Sequence, residues 1–263
     1  MAFANFLDRV ELANQDIKTK GRVLSIGPSI FDHFAYGAGA FNSHVPQNWV
    51  TTETGAATPY APGATGNTVA TAVTGGTTNN GEEFAGKNVC WTPSLMGANQ
   101  RLVLEVRAKF VGTTTAADGD FYLGFANAVT FTNSLPYVVS AASALTTSAP
   151  VEFAGFGYSS IPTSGTLFNA SGNNFMGMIT EKSSVAGTVL SSAVAKDSNF
   201  HVFRVEMDSA ANTTFILDGN VVGTQAAATT AATALTPYIV AIAKNSHTHT
   251  ATVDYVFVGG DIV

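Results

Sequence analysis

Two different spacings of apolar residues divide the chain. Over residues 3–17, Phe3, Phe6, Leu7 and Val10 recur at i, i+3, i+4 and i+7, with Ile17 further along. Asp8, Arg9, Glu11 and Gln15 lie between them, so the spacing predicts a short amphipathic helix. A helix of this size needs its stripe buried on something to be stable, either on its own domain or on another chain. Lys18, Lys20 and Arg22 follow, and with Arg9 they are four of the 12 basic residues. Such a cluster suits a solvated helix end or an acidic partner surface equally.

From about Ser29 the helical period ends and a period of two takes over. Residues 51–82 are rich in Thr, Gly, Ala and Asn, with turn signals at Pro59, Pro62, Gly63, Gly75-Gly76 and Asn79-Asn80-Gly81. Val69, Val73 and several Thr between these turns predict short strands and loops. Over 101–110, Leu102, Leu104, Val106 and Phe110 alternate with Arg101, Val103, Glu105, Arg107 and Lys109. That is the pattern of a half-buried antiparallel strand. Further strands are predicted at 120–126, 151–158, 175–180, 201–207, 213–217, 221–224, 238–243 and 252–258. In 201–207, Phe203, Val205 and Met207 oppose Val202, Arg204 and Glu206; in 252–258, Val253, Tyr255 and Phe257 are read as one face. Asp218-Gly219-Asn220 is a hairpin signal, because glycine supplies the positive φ of the turn. Many closely spaced strands with one short helix predict an all-β fold, an antiparallel sandwich or barrel. Residues 1–28 form a helical or extended arm, and 29–263 form a single sandwich domain.

Composition narrows the function classes. Of 263 residues, 46% are hydrophobic and only 11% charged, against about 25% charged in an ordinary domain. A disordered chain is excluded by this apolar content. A net charge of −6 argues against a nucleic-acid partner, which needs a basic face. No stretch reaches the roughly 18 apolar residues of a membrane-spanning helix, and no basic n-region or apolar h-region opens the sequence. Synthesis in the cytoplasm, with no membrane partner, is therefore expected. The single cysteine, Cys90, is read as a buried small hydrophobe beside Trp91. A surface of Thr, Ser, Asn, Gly and Ala gives little repulsion between copies and suits a chain that packs against neighbours.

The run from Phe200 to Thr224, FHVFRVEMDSAANTTFILDGNVVGT, followed by TPYIVAIAKNS and ATVDYVFVGG, carries a resemblance. Together with RLVLEVRAKF and FYLGFA upstream, it resembles concanavalin A-like lectin/glucanase jelly rolls, in the form found in bacteriophage virion proteins. The likeness spans roughly residues 85–260. It implies two antiparallel sheets face to face, and the 18 Phe against 2 Trp imply a core filled mainly by phenylalanine.

Glycosidases that share this fold carry E-x-D-x-x-E on one strand, and a retaining pair needs carboxyls about 5 Å apart. No such motif occurs here. Glu152 stands alone in its strand, Glu82 and Glu83 point to opposite faces, and Glu105 and Glu206 are read as ion pairs with Arg107 and Arg204. The expectation is a chain with no catalytic residues, no metal and no cofactor. His247-Thr248-His249 is read as a polar loop tip in preference to a chelate, and His33, His44 and His201 as isolated structural residues.

Two functions from different classes remain. In the first, the resemblance, the missing carboxylates, the charge-poor surface and the arm imply a phage capsid decoration protein on the virion surface. It would bind the major capsid protein and copies of itself as a homotrimer, with the arm (Phe3, Phe6, Leu7, Val10, Ile17, Lys18, Lys20 and Arg22) as the partner-binding element. In the second, the chain is a glycan- or receptor-binding module, with Trp49, Tyr60, Tyr122 and Tyr158 as aromatic platforms for carbohydrate.

Overall fold

The computed structural model describes residues 30–32, 49–54, 58–62, 70–74, 80–86, 91–112, 119–127, 137–139, 145–147, 152–159, 175–182, 185–243 and 247–262. The described strands are β1 (Ile30–Asp32), β2 (Trp49–Thr54), β3 (Thr58–Pro62), β4 (Ala70–Val73), β5 (Gly81–Gly86) and β6 (Gln100–Gly112). Then come β7 (Asp120–Ala126), β8 (Tyr137–Val139), β9 (Leu145–Thr147), β10 (Phe153–Tyr158), β11 (Phe175–Lys182) and β12 (Val185–Ala195). The chain closes with β13 (His201–Met207), β14 (Thr213–Leu217), β15 (Asn220–Gln225), β16 (Thr236–Ile242) and β17 (His249–Ile262). Among the described residues, one 3-10 turn at Pro93–Leu95 is the whole helical content.

Two antiparallel sheets form the sandwich. One has eight strands in the order β15-β14-β13-β6-β17-β4-β3, with β1 also paired to β17. The other has seven, in the order β12-β11-β10-β7-β16-β5-β2, and β8 and β9 pair separately. Neighbours such as β6 with β17 and β7 with β16 are far apart in sequence, so the hydrophobic pattern, not local turns, fixes their register.

The core lies where the inward rows meet. Leu102, Leu104, Val106, Ala108 and Phe110 on β6 alternate inward, as do Phe203, Val205 and Met207 on β13, all essentially without exposure. Phe121, Leu123 and Phe125 face them from β7. Phe110 stacks on Phe121 across the gap, ring centroids 4.1 Å apart and nearly parallel. Phe203 meets Phe110, Phe121 and Phe156 edge-on at 6.4, 5.8 and 5.3 Å, and Phe156 in turn meets Phe215 at 5.7 Å. Edge-to-face geometry sets the positive ring edge against the negative face.

β17 departs from the expected alternation. Val253 pairs with Ala108 and Tyr255 with Arg107, so Asp254 is an additional residue in a β-bulge. The bulge resets the phase: Val253, Val256 and Val258 are buried in the core, whereas Tyr255 and Phe257 turn outward. The reading of Val253, Tyr255 and Phe257 as one face is corrected accordingly. The extra residue is put to use, because the Asp254 carboxylate accepts from the Arg107 guanidinium.

The predicted hairpin forms as expected. Leu217 pairs with Asn220 around Asp218 (φ 51°) and Gly219 (φ 80°), the two-residue turn whose twist matches the strands. A Cβ at Gly219 would meet nothing within 4 Å, so only the backbone conformation opposes substitution. Gly219→Ala is therefore expected to lower stability by about 1 kcal/mol in urea unfolding, with an unchanged denaturant slope.

Candidate functional site

In a two-sheet sandwich the outward positions of each strand are ordinarily wet and polar. The seven-stranded sheet breaks this rule. Its register lines up Glu83, Val240, Tyr122, Gly157 and Gly177 in one outward row across β5, β16, β7, β10 and β11. Ala85, Tyr238, Gly124, Gly155 and Ile179 form the next row, and Thr236, Ala126, Phe153 and Glu181 a third. Glu83, Tyr122, Phe153, Ile179, Glu181, Tyr238 and Val240 all have exposures of 1% or less. This face is a second interior.

Glycines shape its floor. A Cβ on Gly155 would lie 2.8 Å from Cζ of Phe153, and one on Gly157 would lie 2.9 Å from Cδ1 of Tyr122. The rings thus occupy space that any larger residue at those positions would take. Phe153 meets Tyr238 edge-on, with centroids 6.4 Å apart.

Three buried carboxylates share this face, Asp120 in the phase of Tyr122 on β7, Glu83 on β5 and Glu181 on β11. Neither oxygen of Glu83 has a hydrogen-bond partner, and burial pushes its carboxyl up to about 8. Glu181 is also without a hydrogen-bond partner. Burial first, and the charge of Glu152 second, push it up to about 7. Burial and then the nearby Glu83 raise the Tyr238 hydroxyl well above its ordinary value. Glu152 adjoins Phe153, the residue directly opposite Glu181 in the β10–β11 pair. Its Oε2 accepts from the Thr230 amide at 2.6 Å, and its own amide donates to Asn127 Oδ1 at 2.8 Å.

Rings and unsatisfied acceptors on one face can hold a polyhydroxylated ligand, with hydroxyls donating to carboxylate and C–H surfaces on the rings. The same geometry is unsuited to glycoside cleavage by Glu83 and Glu181. They are four strands apart, roughly 19 Å at the usual strand spacing of ~4.8 Å, where an acid/base pair needs about 5–9.5 Å. Glu152 and Glu181 are neighbours, but one oxygen of Glu152 is already committed to the Thr230 amide.

The residues singled out from sequence fall in different places. Trp49 stacks on Phe84 at 4.7 Å, and Tyr158 faces the core with the Lys196 amine 5.1 Å from its ring centre. Tyr122 lies on the outward face. With exposures of 1, 2 and 0%, Trp49, Tyr158 and Tyr122 form no open platform, because each strand turns its ring into a packed layer. Tyr60 belongs to β3, and its side chain lies outside the described residues. Phe3, Phe6, Leu7, Val10, Ile17, Lys18, Lys20 and Arg22 also lie outside them, as does the boundary between arm and domain.

Electrostatic expectations are met in part. Arg204 joins both carboxylates, Glu105 at 3.0 Å and Glu206 at 2.6 Å. Burial works against its charge, and these hydrogen bonds more than offset that, raising its pKa. Arg107 pairs with Asp254 instead, and the Tyr255 hydroxyl donates to Glu105 at 2.8 Å. His249 is no loop tip. It opens β17 fully buried, with Nδ1 3.1 Å from the Asp120 carbonyl, and burial followed by the Lys196 charge lowers its pKa. Nor is His201 isolated. Its ring nitrogens reach Asp218 at 2.6 Å and Asp197 at 3.0 Å, beside a small cleft lined by Lys109, Phe110, Lys196 and Asn199.

No protein-family profile matches the chain, and no curated protein sequence does. Solved structures do resemble it in fold. The Emp47p carbohydrate recognition domain is similar at 13% identity and a TM-score of 0.50, covering 90% of this chain and 96% of that one. A prokaryotic β-1,3-1,4-glucanase (lichenase) from a mouse hindgut metagenome matches at 10% identity, TM-score 0.51, over 88% and 98%. A protein of unknown function from Shewanella oneidensis matches at 10% identity, TM-score 0.52, over 91% and 89%. At such identities the likeness is one of fold: the chain folds as a two-sheet jelly-roll sandwich of the concanavalin A-like type.

The raised carboxyl of Glu83 has a measurable consequence. The folded chain keeps that proton up to about pH 8, whereas the unfolded chain releases it near the ordinary 4.5. Between these values the native state binds more protons, so stability falls as pH rises, by about 1.4 kcal/mol per pH unit for each such group. Denaturant unfolding of the wild type from about pH 5 to about pH 8 is expected to show this decline. Glu83→Gln is expected to flatten the decline and to be more stable than the wild type at the upper end.

Proposed function

We propose that this protein is a non-catalytic carbohydrate-recognition domain whose ligand is held against the outward face of the seven-stranded sheet. The observation that carries the reading is the buried Glu83 carboxylate. It has no hydrogen-bond partner and shares its face with Tyr122 and Tyr238. A buried acceptor left unpaired costs its desolvation penalty, about 1–3 kcal/mol and more for a charge. Sugar hydroxyls are donors that relieve it, and the tyrosine rings offer surfaces for the C–H faces of a pyranose. Because these groups are buried, binding requires the layer packed over this face to open. The fold of the Emp47p carbohydrate recognition domain supports the ligand class. The wide separation of Glu83 from Glu181 supports the absence of hydrolysis.

A second reading is favoured by the charge-poor chain, in which only 11% of residues are charged. In it, the domain decorates a phage capsid in the virion as a homotrimer, held to the major capsid protein through residues 1–22. Hundreds of copies per purified particle, measured against the shell protein, would favour this reading over the first.

The carbohydrate reading is tested by a glycan array followed by titration with the best oligosaccharide. Selective binding is expected, and above about pH 8, where Glu83 is ionised, Glu83→Gln should weaken it at least tenfold, the loss of one hydrogen bond to a charged group. No reducing ends should be released from β-glucans. Absence of any selective glycan, or unchanged affinity in a folded Glu83→Gln, overturns the carbohydrate reading; turnover of a glucan overturns the non-catalytic part.

A further inference from the structure

We propose that residues 197–199 are a small lid on the cleft beside His201, latched by the doubly protonated His201 ring and released when that ring loses a proton. Both ring nitrogens face carboxylates. Nδ1 lies 2.6 Å from Asp218 Oδ2, and Nε2 lies 3.0 Å from Asp197 Oδ1. An ionised carboxylate only accepts, so both contacts are hydrogen bonds only when each nitrogen carries a proton. The ring then clasps two separate segments: the connection between β12 and β13, which carries Asp197, and the turn between β14 and β15, which carries Asp218. Burial works against the charge of Asp197, but the Asn199 amide and side chain, and then His201, outweigh it and hold its carboxyl below the ordinary value.

The two ends of the clasp are not equivalent. Asp218 is tied to β13 a second time, because its Oδ1 accepts from the Val202 amide at 2.8 Å. The other hydrogen bonds of Asp197 come from the Asn199 amide and Nδ2, each at 2.7 Å, and so lie within the connection itself. A neutral imidazole has one N–H. It stays on the shorter, doubly anchored contact with Asp218, and the Nε2 lone pair then faces the Asp197 carboxylate. Acceptor against acceptor is repulsive, so residues 197–199 move off the ring. Their travel is bounded on both sides: Lys196 is buried, and the Phe200 ring is held by Arg107 at 4.4 Å and Lys109 at 4.9 Å. Ser198 and Asn199 between them are exposed. Among the described residues, the charged groups around the ring are Asp197, Asp218, Lys196 and, from β6, Lys109. The two carboxylates favour the proton and the two lysines oppose it. No residue of the Glu83 face takes part, so the proposal is independent of the carbohydrate reading.

The full chain, with nitrogen-labelled histidine, is titrated from about pH 5 to about pH 9, the range in which histidine side chains change charge. Long-range proton–nitrogen spectra report the state of each ring nitrogen. Both nitrogens of His201 are expected to be protonated at the acidic end, and Nδ1 alone at the basic end. Hydrogen exchange at the Asn199 amide, corrected for its intrinsic pH dependence, is expected to rise roughly threefold across the same transition; the change is modest because both carboxylates are 43% exposed. Asp197→Asn, whose side-chain amide can donate to the neutral Nε2, should remove that rise. Should Asp197→Asn fail to fold, His201→Gln takes its place, with corrected exchange expected to be independent of pH. A ring already neutral at the acidic end, retention of the proton on Nε2 at the basic end, deprotonation without a change in exchange, or a step that persists in a folded variant overturns the proposal.

Discussion

The packing of Phe203 against Phe110, Phe121 and Phe156 is the constraint on which the rest of the structure depends. These four rings come from both sheets: β6 and β13 on one side, β7 and β10 on the other. Once they interlock, the phase of each of those strands is set, and a slip of one residue would expel a phenylalanine and bury its neighbour. On β6 and β13 the neighbours are Arg107, Lys109 and Arg204, whose burial without partners would be costly. On β7 and β10 they are Asp120, Tyr122, Gly155 and Gly157, and all four are buried in place. The charged sheet is therefore pinned by its own alternation. The seven-stranded sheet is free to bury both of its faces.

That asymmetry explains which features were legible in the sequence. β7, β13 and β14 occupy the predicted residues and β6 is close to them, because large apolar residues recur at every second position there. The Asp218-Gly219 turn was equally plain, since few residue pairs accept positive φ twice in succession. β17 was legible as a strand but not in its facing. A bulge adds one residue with no mark in composition, and Asp254 reads as an ordinary outward position until the pairing with Arg107 is seen. β12, although 11 residues long, was missed because its Ser, Thr, Gly and Ala content carries no period of two.

The candidate site was hardly legible at all. Glu83 and Glu181 lie almost a hundred residues apart, and neither stands in a motif. Their significance comes from burial without a partner, a property of the third dimension. The aromatic residues illustrate the same limit. Trp49, Tyr122 and Tyr158 were read as surface platforms by residue type, yet whether a ring is a platform or a filler depends on what lies over it. Fourth among the candidates, Tyr60 is placed by the structure in a strand of the opposite sheet.

The distribution of the acids bears directly on chemistry. Cleaving a glycosidic bond requires two carboxyls to face one atom from fixed distances, and a β-strand supplies that cheaply by placing residues i and i+2 on the same face. Here the outward rows of the seven-stranded sheet hold Glu83 on β5, Asp120 on β7 and Glu181 on β11, each on a separate strand. An isolated buried carboxylate can be relieved by a proton, by donor hydroxyls or by a cation, and the surroundings decide among them. Glu83 is raised by burial, and a proton relieves it up to about pH 8. Glu181 is raised by burial and then by the charge of Glu152, and a proton relieves it up to about pH 7.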